Sequence, residues 1–314
     1  MRRFFLLALL PLIAWADAHI FVYHRFGDSR YDSTNTSLET LRAEFDYFRD
    51  HGYTVVPLSR VAQAFQAGEP INPKWVVLTI DDSYKSFYEN GLPIFKEYGY
   101  PFTLFIYIEA TQRRYNDFMS WEQIKESARH GEIGLHSFGH HHMTSLTPEA
   151  VREDTRKGIA AYEAFLGQKP RYYAYPYGEY DDAVREAVAS FGFDLILNQN
   201  SGAFDAQSDP RDLDRTALTG ENSIARKLRI QTLPTKWITP KKWPSDGKLK
   251  TIHATIPKNV TDLEYYVSGH GWHHAKAHDG ELKVEANLPL KFERTRIFLK
   301  RGNRQSSIIL VKEQ

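Results

Sequence analysis

The chain of 314 residues contains no cysteine. A thiol nucleophile, a cysteine-ligated metal site and disulfide bonds are therefore excluded. Imidazole and carboxylate groups remain available as metal ligands. With 42% hydrophobic residues, a chain of this length can bury a full core and is long enough for two domains.

Long apolar segments are also scarce. One apolar run, Phe4–Trp15, follows Met1-Arg-Arg and precedes the small-x-small sequence Ala16-Asp-Ala18. This order is typical of a signal peptide, so residues 1–18 are predicted to be removed and the protein exported to the periplasm or the cell exterior. The run is short for a bilayer span, which makes an uncleaved anchor helix the less favoured alternative, and no later segment is as long.

The net charge of +1 conceals an uneven distribution. From residue 226 onward the chain has 18 Lys and Arg against 8 Asp and Glu, whereas the earlier part is acidic. The basic part predicts either a separate unit that contacts an anionic polymer or the cell envelope, or a surface that attracts the acidic part. No nucleic-acid partner is expected.

Residues 19–200 alternate between short apolar runs and amphipathic segments. Leu38–Asp50 and Leu58–Ala67 have helical spacing, and Trp75–Ile80 is the continuous, β-branched run of a strand buried on both faces. The repeated β–α order predicts a parallel sheet, either open or closed into a barrel.

The pattern changes after Arg211. Leu233–Pro244 is rich in proline and is predicted to be a linker, and alternating runs separated by turn residues follow it. We therefore predict a first domain at residues 19–232 and a small antiparallel β domain at residues 245–314. The sequence His270-Gly-Trp-His-His274 is predicted to be a turn, with a second metal or sugar site as the less favoured alternative.

Polar residues fall at the predicted carboxyl ends of three strands. In order along the chain, these residues are Asp81 with Asp82, His136 with His140, and Tyr177-Gly178. Parallel α/β folds collect their chemistry at such strand ends. A carboxylate and two imidazoles suit a zinc-like divalent ion with open positions, so Asp82, His136 and His140 are predicted to hold a catalytic metal. Asp81 is then a candidate general base.

These motifs resemble those of polysaccharide deacetylases of the NodB-homology type. Thr79-Ile-Asp-Asp-Ser83 is similar to the family's Thr-Phe-Asp-Asp-Gly, and His136-Ser-Phe-Gly-His140 matches its His-Ser/Thr-x-x-His. Tyr175-Pro-Tyr-Gly178 resembles the end of its Arg-x-Pro-Tyr-Gly motif. The resemblance covers residues 19–200. It implies a distorted (β/α) barrel, a divalent metal and hydrolysis of N-acetyl groups on amino sugars.

Carried over residue by residue, the resemblance implies that Asp82, His136 and His140 bind the metal, with Zn²⁺ as the first choice. Asp81 would take a proton from the attacking water, and the backbone N–H of Tyr177 would stabilise the oxyanion. The implied substrate is poly-N-acetylglucosamine, peptidoglycan or a chitin-like polymer. The residues expected to contact it are Tyr175, Pro176, Tyr177 and Gly178, and some tyrosines near this turn are expected to stack on sugar rings.

Three features depart from the family pattern. Ala174 stands where the motif has an arginine that orients the base. Either Arg25 or another polar group is expected to replace it, or Asp81 is expected to be held less firmly. Ser83 replaces a glycine, which is accommodated if that position does not need a positive φ. The family's late Leu-x-His, thought to protonate the leaving amine, is missing. His24 is predicted to take its place, because the first strand of a closed barrel lies beside the last. The alternative is a histidine that only hydrogen-bonds in the core.

The sequence therefore predicts an exported, metal-dependent N-deacetylase. Two alternatives remain open. The missing arginine and histidine motivate a non-catalytic carbohydrate-binding protein on a degraded barrel. The third possibility is a metal-dependent hydrolase of another amide or ester, because a fold does not fix a substrate.

Overall fold

The structure, a computed structural model, describes residues 17–220 and 223–312. All but the last two residues of the predicted signal peptide therefore lie outside the described residues. Within the described ranges, no helix is long and apolar enough to cross a membrane.

The first part of the chain alternates strands and helices, as the sequence predicts. Its strands are β1 (His19–Tyr23), β2 (Arg25–Phe26), β3 (Asn35–Thr36), β4 (Thr54–Val55), β5 (Trp75–Ile80), β6 (Thr103–Ile106), β7 (Glu132–Leu135), β8 (Tyr172–Ala174), β9 (Leu195–Leu197) and β10 (Thr216–Ala217). Its helices are α1 (Leu38–Asp50), α2 (Leu58–Ala67), α3 (Leu92–Tyr98), α4 (Ile108–Gln112), α5 (Trp121–Ser127), α6 (Pro148–Leu166), α7 (Asp182–Ala189) and α8 (Ile224–Lys227).

Eight of these strands form one parallel sheet. The order is β10–β1–β5–β6–β7–β8–β9, with β4 also paired to β5. Strand β5 is an internal strand, paired with β1 along one edge and with β4 and β6 along the other. All six residues of β5 are buried, which confirms the prediction of a strand covered on both faces.

Alternate residues of β5 enter two different cores. The outward Leu78 packs in a large cluster with residues of α1 and α3, whereas the inward Val77 joins a smaller cluster with Phe105. Because side chains alternate along a strand, Thr79 and Asp81 lie on the same inner side as Val77. The sequence of β5 thus delivers Asp81 to the mouth of the barrel.

The two edges of the sheet are joined by the segment 210–217. Leu213 bridges Leu197 of β9, and three residues further along the chain β10 begins and pairs in parallel with β1. Arg215 lies between these two contacts, at the seam of the barrel. The predicted distorted (β/α) barrel is therefore confirmed.

The C-terminal part contains eight further strands. They are β11 (Gln231–Thr232), β12 (Lys236–Thr239), β13 (Lys248–Thr255), β14 (Asp262–Val267), β15 (Gly271–Lys276), β16 (Glu281–Pro289), β17 (Arg294–Arg301) and β18 (Arg304–Val311). They form a five-stranded sheet, β11–β18–β17–β14–β15, and a three-stranded sheet, β12–β13–β16. All pairings except that of β11 with β18 are antiparallel, which confirms the predicted antiparallel β region.

Two predictions for this part are wrong. The predicted linker contains strand β12, because Trp237 packs against the C-terminal core and donates a hydrogen bond to Ser306. The predicted turn at His270–His274 is mostly strand β15, and the turn itself covers residues 268–270. Trp272 and His274 pair with residues of β14. The glycine and the histidines therefore suggested a turn in a segment that forms an ordinary strand.

Candidate active site

The backbone is strained where the predicted site residues lie, at the carboxyl ends of β5, β7 and β8. Five of the eight described non-glycine residues with a positive φ are found there: Asp82, Ser83, Ser137, His140 and Tyr177. Such conformations cost about 1–3 kcal/mol each and cluster at functional sites. From the sequence, serine at position 83 is expected to be accommodated if this position does not need a positive φ. That condition is not met, because the φ of Ser83 is +57°. Its hydroxyl donates to the carbonyl of Asp82, a local bond that supports this turn.

Asp82, His136 and His140 converge as predicted. The Nε2 atoms of His140 and His136 lie 2.9 Å and 3.3 Å from Oδ1 of Asp82. One ligand atom from each residue lies within 4.8 Å of the others, and no other such group is found in the described parts of the chain. Oδ1 of Asp82 is buried without a hydrogen-bond partner among the described residues. A buried carboxylate oxygen flanked by two imidazoles fits a divalent cation.

Neighbouring groups orient both imidazoles. Nδ1 of His136 lies 2.8 Å from the carbonyl oxygen of Ala174, an arrangement in which Nδ1 carries the proton and leaves Nε2 free for a metal. The backbone N–H of His140 donates to Oγ of Ser137 at 2.9 Å. Ser137 therefore steadies the ligand loop through its side chain.

Asp81 is held by a residue that the sequence analysis missed. Arg215 donates from Nη1 to Oδ1 of Asp81 at 2.7 Å and from Nη2 to Oδ2 at 2.8 Å. Both side chains are fully buried. Burial alone would raise the pKa of Asp81, but Arg215 and His136 outweigh it and bring the pKa below its ordinary value. Asp81 is therefore an ionised carboxylate in a fixed orientation.

Arg215 is itself fixed by the barrel. Its Nε donates to the carbonyl of Asn198 at 2.7 Å, and its Nη1 also reaches Oγ1 of Thr79 at 3.1 Å. The side-chain amide of Gln199 adds a third, longer hydrogen bond to Asp81, at 3.3 Å. The base therefore receives all of these contacts from the loop after β9 and from the seam of the barrel.

Of the expected replacements, another polar group, Arg215, is present, and Arg25 is not the replacement. Arg25 pairs with Asp28 at 2.8 Å, lies 3.5 Å from Asp117, and stacks on the rings of Tyr31 and Tyr84. It faces away from Asp81 because it follows His24 in the chain, and alternate residues of an extended segment point to opposite sides. No local pattern marks Arg215, which stands beside a two-residue strand far from the recognised motifs.

His24 lies beside the site. Tyr23, the preceding residue, pairs with Ile80, and its carbonyl accepts a hydrogen bond from the N–H of Asp81 at 3.0 Å. Burial lowers the pKa of His24, partly offset by the charges of Asp82 and Asp81. Its Nδ1 is buried and has no hydrogen-bond partner among the described residues. The expected neighbourhood of the first and last strands is present, since β1 pairs with β10.

The turn after β8 presents one side chain to the solvent. Tyr177 is 37% exposed, its ring stacks on His142 with centroids 4.1 Å apart, and it meets His140 edge-on at 4.6 Å. Tyr175 and Pro176 are buried, so their side chains shape the turn. The expectation that Tyr175 contacts substrate through its ring is not supported, because that ring is 0% exposed and packs on Tyr180.

Gly178 is required by the same turn. Its φ is +69°, and a Cβ built there would lie 2.2 Å from Cβ of Gln199. Only glycine therefore allows the turn after β8 to pack against the loop that carries Gln199.

Comparison with known proteins agrees with this geometry. Residues 68–196 match the family model of the polysaccharide deacetylases. This match confirms the family resemblance that the motifs predicted. Asp81, Asp82, His136, His140 and the turn at Tyr177 all lie inside the matched segment, whereas Arg215 lies outside it.

Two relatives similar to this chain are named as deacetylases. The chain is 26% identical over 190 residues to a putative polysaccharide deacetylase, YxkH, of Bacillus subtilis, covering 59% of this chain and 65% of the relative. It is 26% identical over 223 residues to the poly-β-1,6-N-acetyl-D-glucosamine N-deacetylase of Escherichia coli K12, covering 57% of this chain and 33% of the relative. The chain thus spans less than two thirds of either protein.

Solved structures show the same fold. IcaB from Ammonifex degensii is 27% identical with a TM-score of 0.58, and the match covers 65% of this chain and 92% of that one. The deacetylase PplD of Streptococcus pyogenes, solved with acetate, has a TM-score of 0.61 at 21% identity, over 65% of this chain and 93% of that one.

Proposed function

We propose that this protein is an exported, metal-dependent hydrolase that removes N-acetyl groups from a polymer of N-acetylated amino sugars. The observation that carries the proposal is the buried pair of Asp81 and Arg215 beside the convergent Asp82, His136 and His140. An ionised, oriented carboxylate next to three metal ligands is the arrangement that an amide hydrolysis needs.

Asp82, His136 and His140 would hold the metal, with Zn²⁺ as the first choice because two imidazoles and one carboxylate suit it. When bound, such a metal polarises the acetyl carbonyl and lowers the pKa of water. The protein supplies the orientation: the Ala174 carbonyl fixes the tautomer of His136, and Ser137 fixes the loop of His140.

Asp81 would act as the general base. Its two oxygens are both bound by Arg215, so it cannot rotate away from the site. It would take one proton from the attacking water as the new C–O bond forms at the acetyl carbon. The backbone N–H of Tyr177 would stabilise the negative charge on the carbonyl oxygen.

His24 would complete the reaction. His24 directly follows β1, which pairs with the strand that precedes Asp81. Its protonated ring would give its proton to the sugar nitrogen as the C–N bond breaks, leaving acetate and a free amine. The exposed ring of Tyr177 would stack on a sugar face beside the reacting group.

The non-catalytic alternative was motivated mainly by the missing motif arginine. Arg215 weakens that argument, because it supplies a guanidinium to the base from another part of the chain. A degraded site has no reason to keep a fully buried arginine in a bidentate contact with the base, because burying two charges has a high desolvation cost. The missing motif arginine is therefore replaced rather than lost.

The name of one relative supports a choice among the candidate substrate polymers. That relative is named for deacetylation of poly-β-1,6-N-acetyl-D-glucosamine, and we propose this linkage before the β-1,4 linkage of chitin-like polymers. Export would follow from the predicted signal peptide at residues 1–18. The basic C-terminal part would face an anionic polymer or envelope surface.

Acetate release from N-acetylglucosamine oligomers of each linkage tests the proposal. The zinc-loaded protein is expected to deacetylate the β-1,6 oligomer faster, to stop on chelation, and to recover when zinc is restored. Tight oligomer binding without acetate release would favour the carbohydrate-binding alternative. Release of acid only from unrelated amides or esters would favour the third possibility.

A further inference from the structure

The C-terminal sheet contacts the barrel at the two loops that border the site. From β17, Arg296 donates from Nη1 to the carbonyl of Gln199 at 2.8 Å, and Arg294 donates from Nη2 to the carbonyl of Tyr177 at 2.7 Å. From β18, Gln305 donates to the carbonyl of Ser201 at 2.9 Å. Arg294 and Arg296 are two residues apart on one strand and so project from the same face of the sheet.

The loop after β9 is the one that orients the base. The Asn198 carbonyl accepts the Nε of Arg215, and the side chain of Gln199 donates to Asp81. Both partners of Asp81 are therefore tied to a loop of four residues, 198–201. The C-terminal sheet binds the backbone of that loop on its other side, through Arg296 and Gln305.

The loop after β8 has a conformation that needs support. Tyr177 has φ +58° and ψ 0°, which a non-glycine residue adopts only when its surroundings hold it. Arg294 binds the carbonyl of this residue, and Gly178 packs directly on Gln199. Arg294 and Arg296 thus bind the backbones of the loops after β8 and β9 near the contact between Gly178 and Gln199.

Placing the charged side chain of Arg296 in a partly buried position costs free energy. This cost favours a functional role for Arg296. Burial and the neighbouring Arg294 lower its pKa to about 9. Among the described residues, neither arginine has a carboxylate within ion-pair distance, so carbonyl oxygens are their hydrogen-bond partners. Arg296 is a partly buried cation whose side chain donates to a carbonyl, which favours a positioning role over one in general stability.

We propose that the C-terminal sheet is a working part of the active site, in which Arg296 positions the loop that orients Asp81 and Arg294 positions the peptide of Tyr177. The inference rests on the proposed deacetylase function. It gives the C-terminal part a role in turnover, besides any contact with a polymer. Neither arginine touches the reacting atoms, so both are positioning residues.

The test compares Arg296→Ala and Arg294→Ala with Arg301→Ala in the full-length, zinc-loaded protein. Arg301 is a matched control, because it lies on the same strand and donates only within the C-terminal part, to the carbonyl of Asp262. Displacing a catalytic group by about 1 Å costs about a hundredfold in rate, so we expect kcat to fall about ten- to a hundredfold in the first two variants. KM is expected to change less than about threefold, zinc affinity to stay the same, and Arg296→Lys, which keeps a donor, to recover part of kcat.

Hydrogen–deuterium exchange provides a readout that does not need activity. The N–H groups of Gly178 and Asn200 are hydrogen-bonded inside the two loops, and their exchange is expected to accelerate in Arg294→Ala and Arg296→Ala respectively but not in Arg301→Ala. Wild-type kcat with unchanged exchange in both variants would overturn the inference, as would faster exchange spread evenly over the whole chain. If the wild type releases no acetate, the proposed function fails, and the exchange comparison still decides whether the sheet holds the loops.

Discussion

Asp81 owes its orientation to a residue 134 positions later in the chain. Arg215 approaches it from the seam of the barrel, where a family motif would supply an arginine from β8. In this chain β8 ends at Ala174, whose carbonyl instead accepts the proton of His136. The chemical requirement for a guanidinium on the base is therefore met from a different strand.

Replacing Arg215 by Lys tests this assignment. Lysine keeps the charge but loses the two parallel hydrogen bonds, so we expect kcat to fall about ten- to a hundredfold. Arg215 holds the pKa of Asp81 down. With a weaker partner that pKa rises, and the acidic limb of the kcat/KM profile moves to higher pH. Arg25→Lys is the matched comparison, and an effect of equal size there would contradict the assignment.

A second residue-scale prediction concerns His24. His24→Gln keeps a polar side chain of similar size but cannot donate a proton as a general acid, so turnover is expected to fall about a hundredfold. Zinc affinity is expected to stay within a few-fold, because His24 is not among the three ligands. Unchanged turnover, measured as acetate release at several pH values, would assign His24 to the core alone.

At the scale of elements, strand order explains which predictions succeed. Asp81, His136 and Tyr177 each follow a parallel strand, and their convergence follows from the rule that such strands end at one edge. The burial of β5 could also be predicted, because a parallel strand covered on both faces is a continuous apolar run. Strand β10 has only two residues, and Arg215 contacts Asp81, which lies far from it in the sequence. Neither feature therefore produces a periodic pattern that could be recognised.

Helix α1 carries a testable effect of pH on stability. Glu44 is 3% exposed and accepts a hydrogen bond from Tyr23 of β1 at 2.7 Å. Burial raises its pKa from 4.5 to about 7, with Tyr23 and Lys227 of α8 opposing the shift. The unfolded chain therefore releases this proton at lower pH than the folded protein. Stability from this group is fully present below about pH 4.5 and is lost as pH rises to about 7.

Glu44→Gln removes this titration and keeps an oxygen acceptor for Tyr23. We expect the wild type to lose up to about 3 kcal/mol of unfolding free energy relative to the variant between about pH 4.5 and pH 8. Urea unfolding of both proteins across that range measures the difference. Parallel pH dependence of the two proteins would show that Glu44 does not titrate abnormally.

At the scale of the whole molecule, the acidic barrel and the basic C-terminal part share one working surface. The sequence predicted the two parts from their different patterns and from the change of charge near residue 226. It could not predict that Arg294 and Arg296 reach the loops of the barrel, because contacts between parts depend on three-dimensional placement. The boundaries at residues 232 and 245 remain predictions.

The central claim is that Asp82, His136 and His140 hold a metal at which Asp81 acts as base. It is tested most directly by measuring zinc binding and acetate release on the same samples of wild type, Asp82→Asn and Asp81→Asn. The account predicts one zinc per wild-type chain and loss of both properties in Asp82→Asn. In Asp81→Asn it predicts near-normal zinc binding with acetate release lowered about a hundredfold or more. Zinc binding by Asp82→Asn as tight as in the wild type, or undiminished acetate release by metal-free wild type, would contradict it.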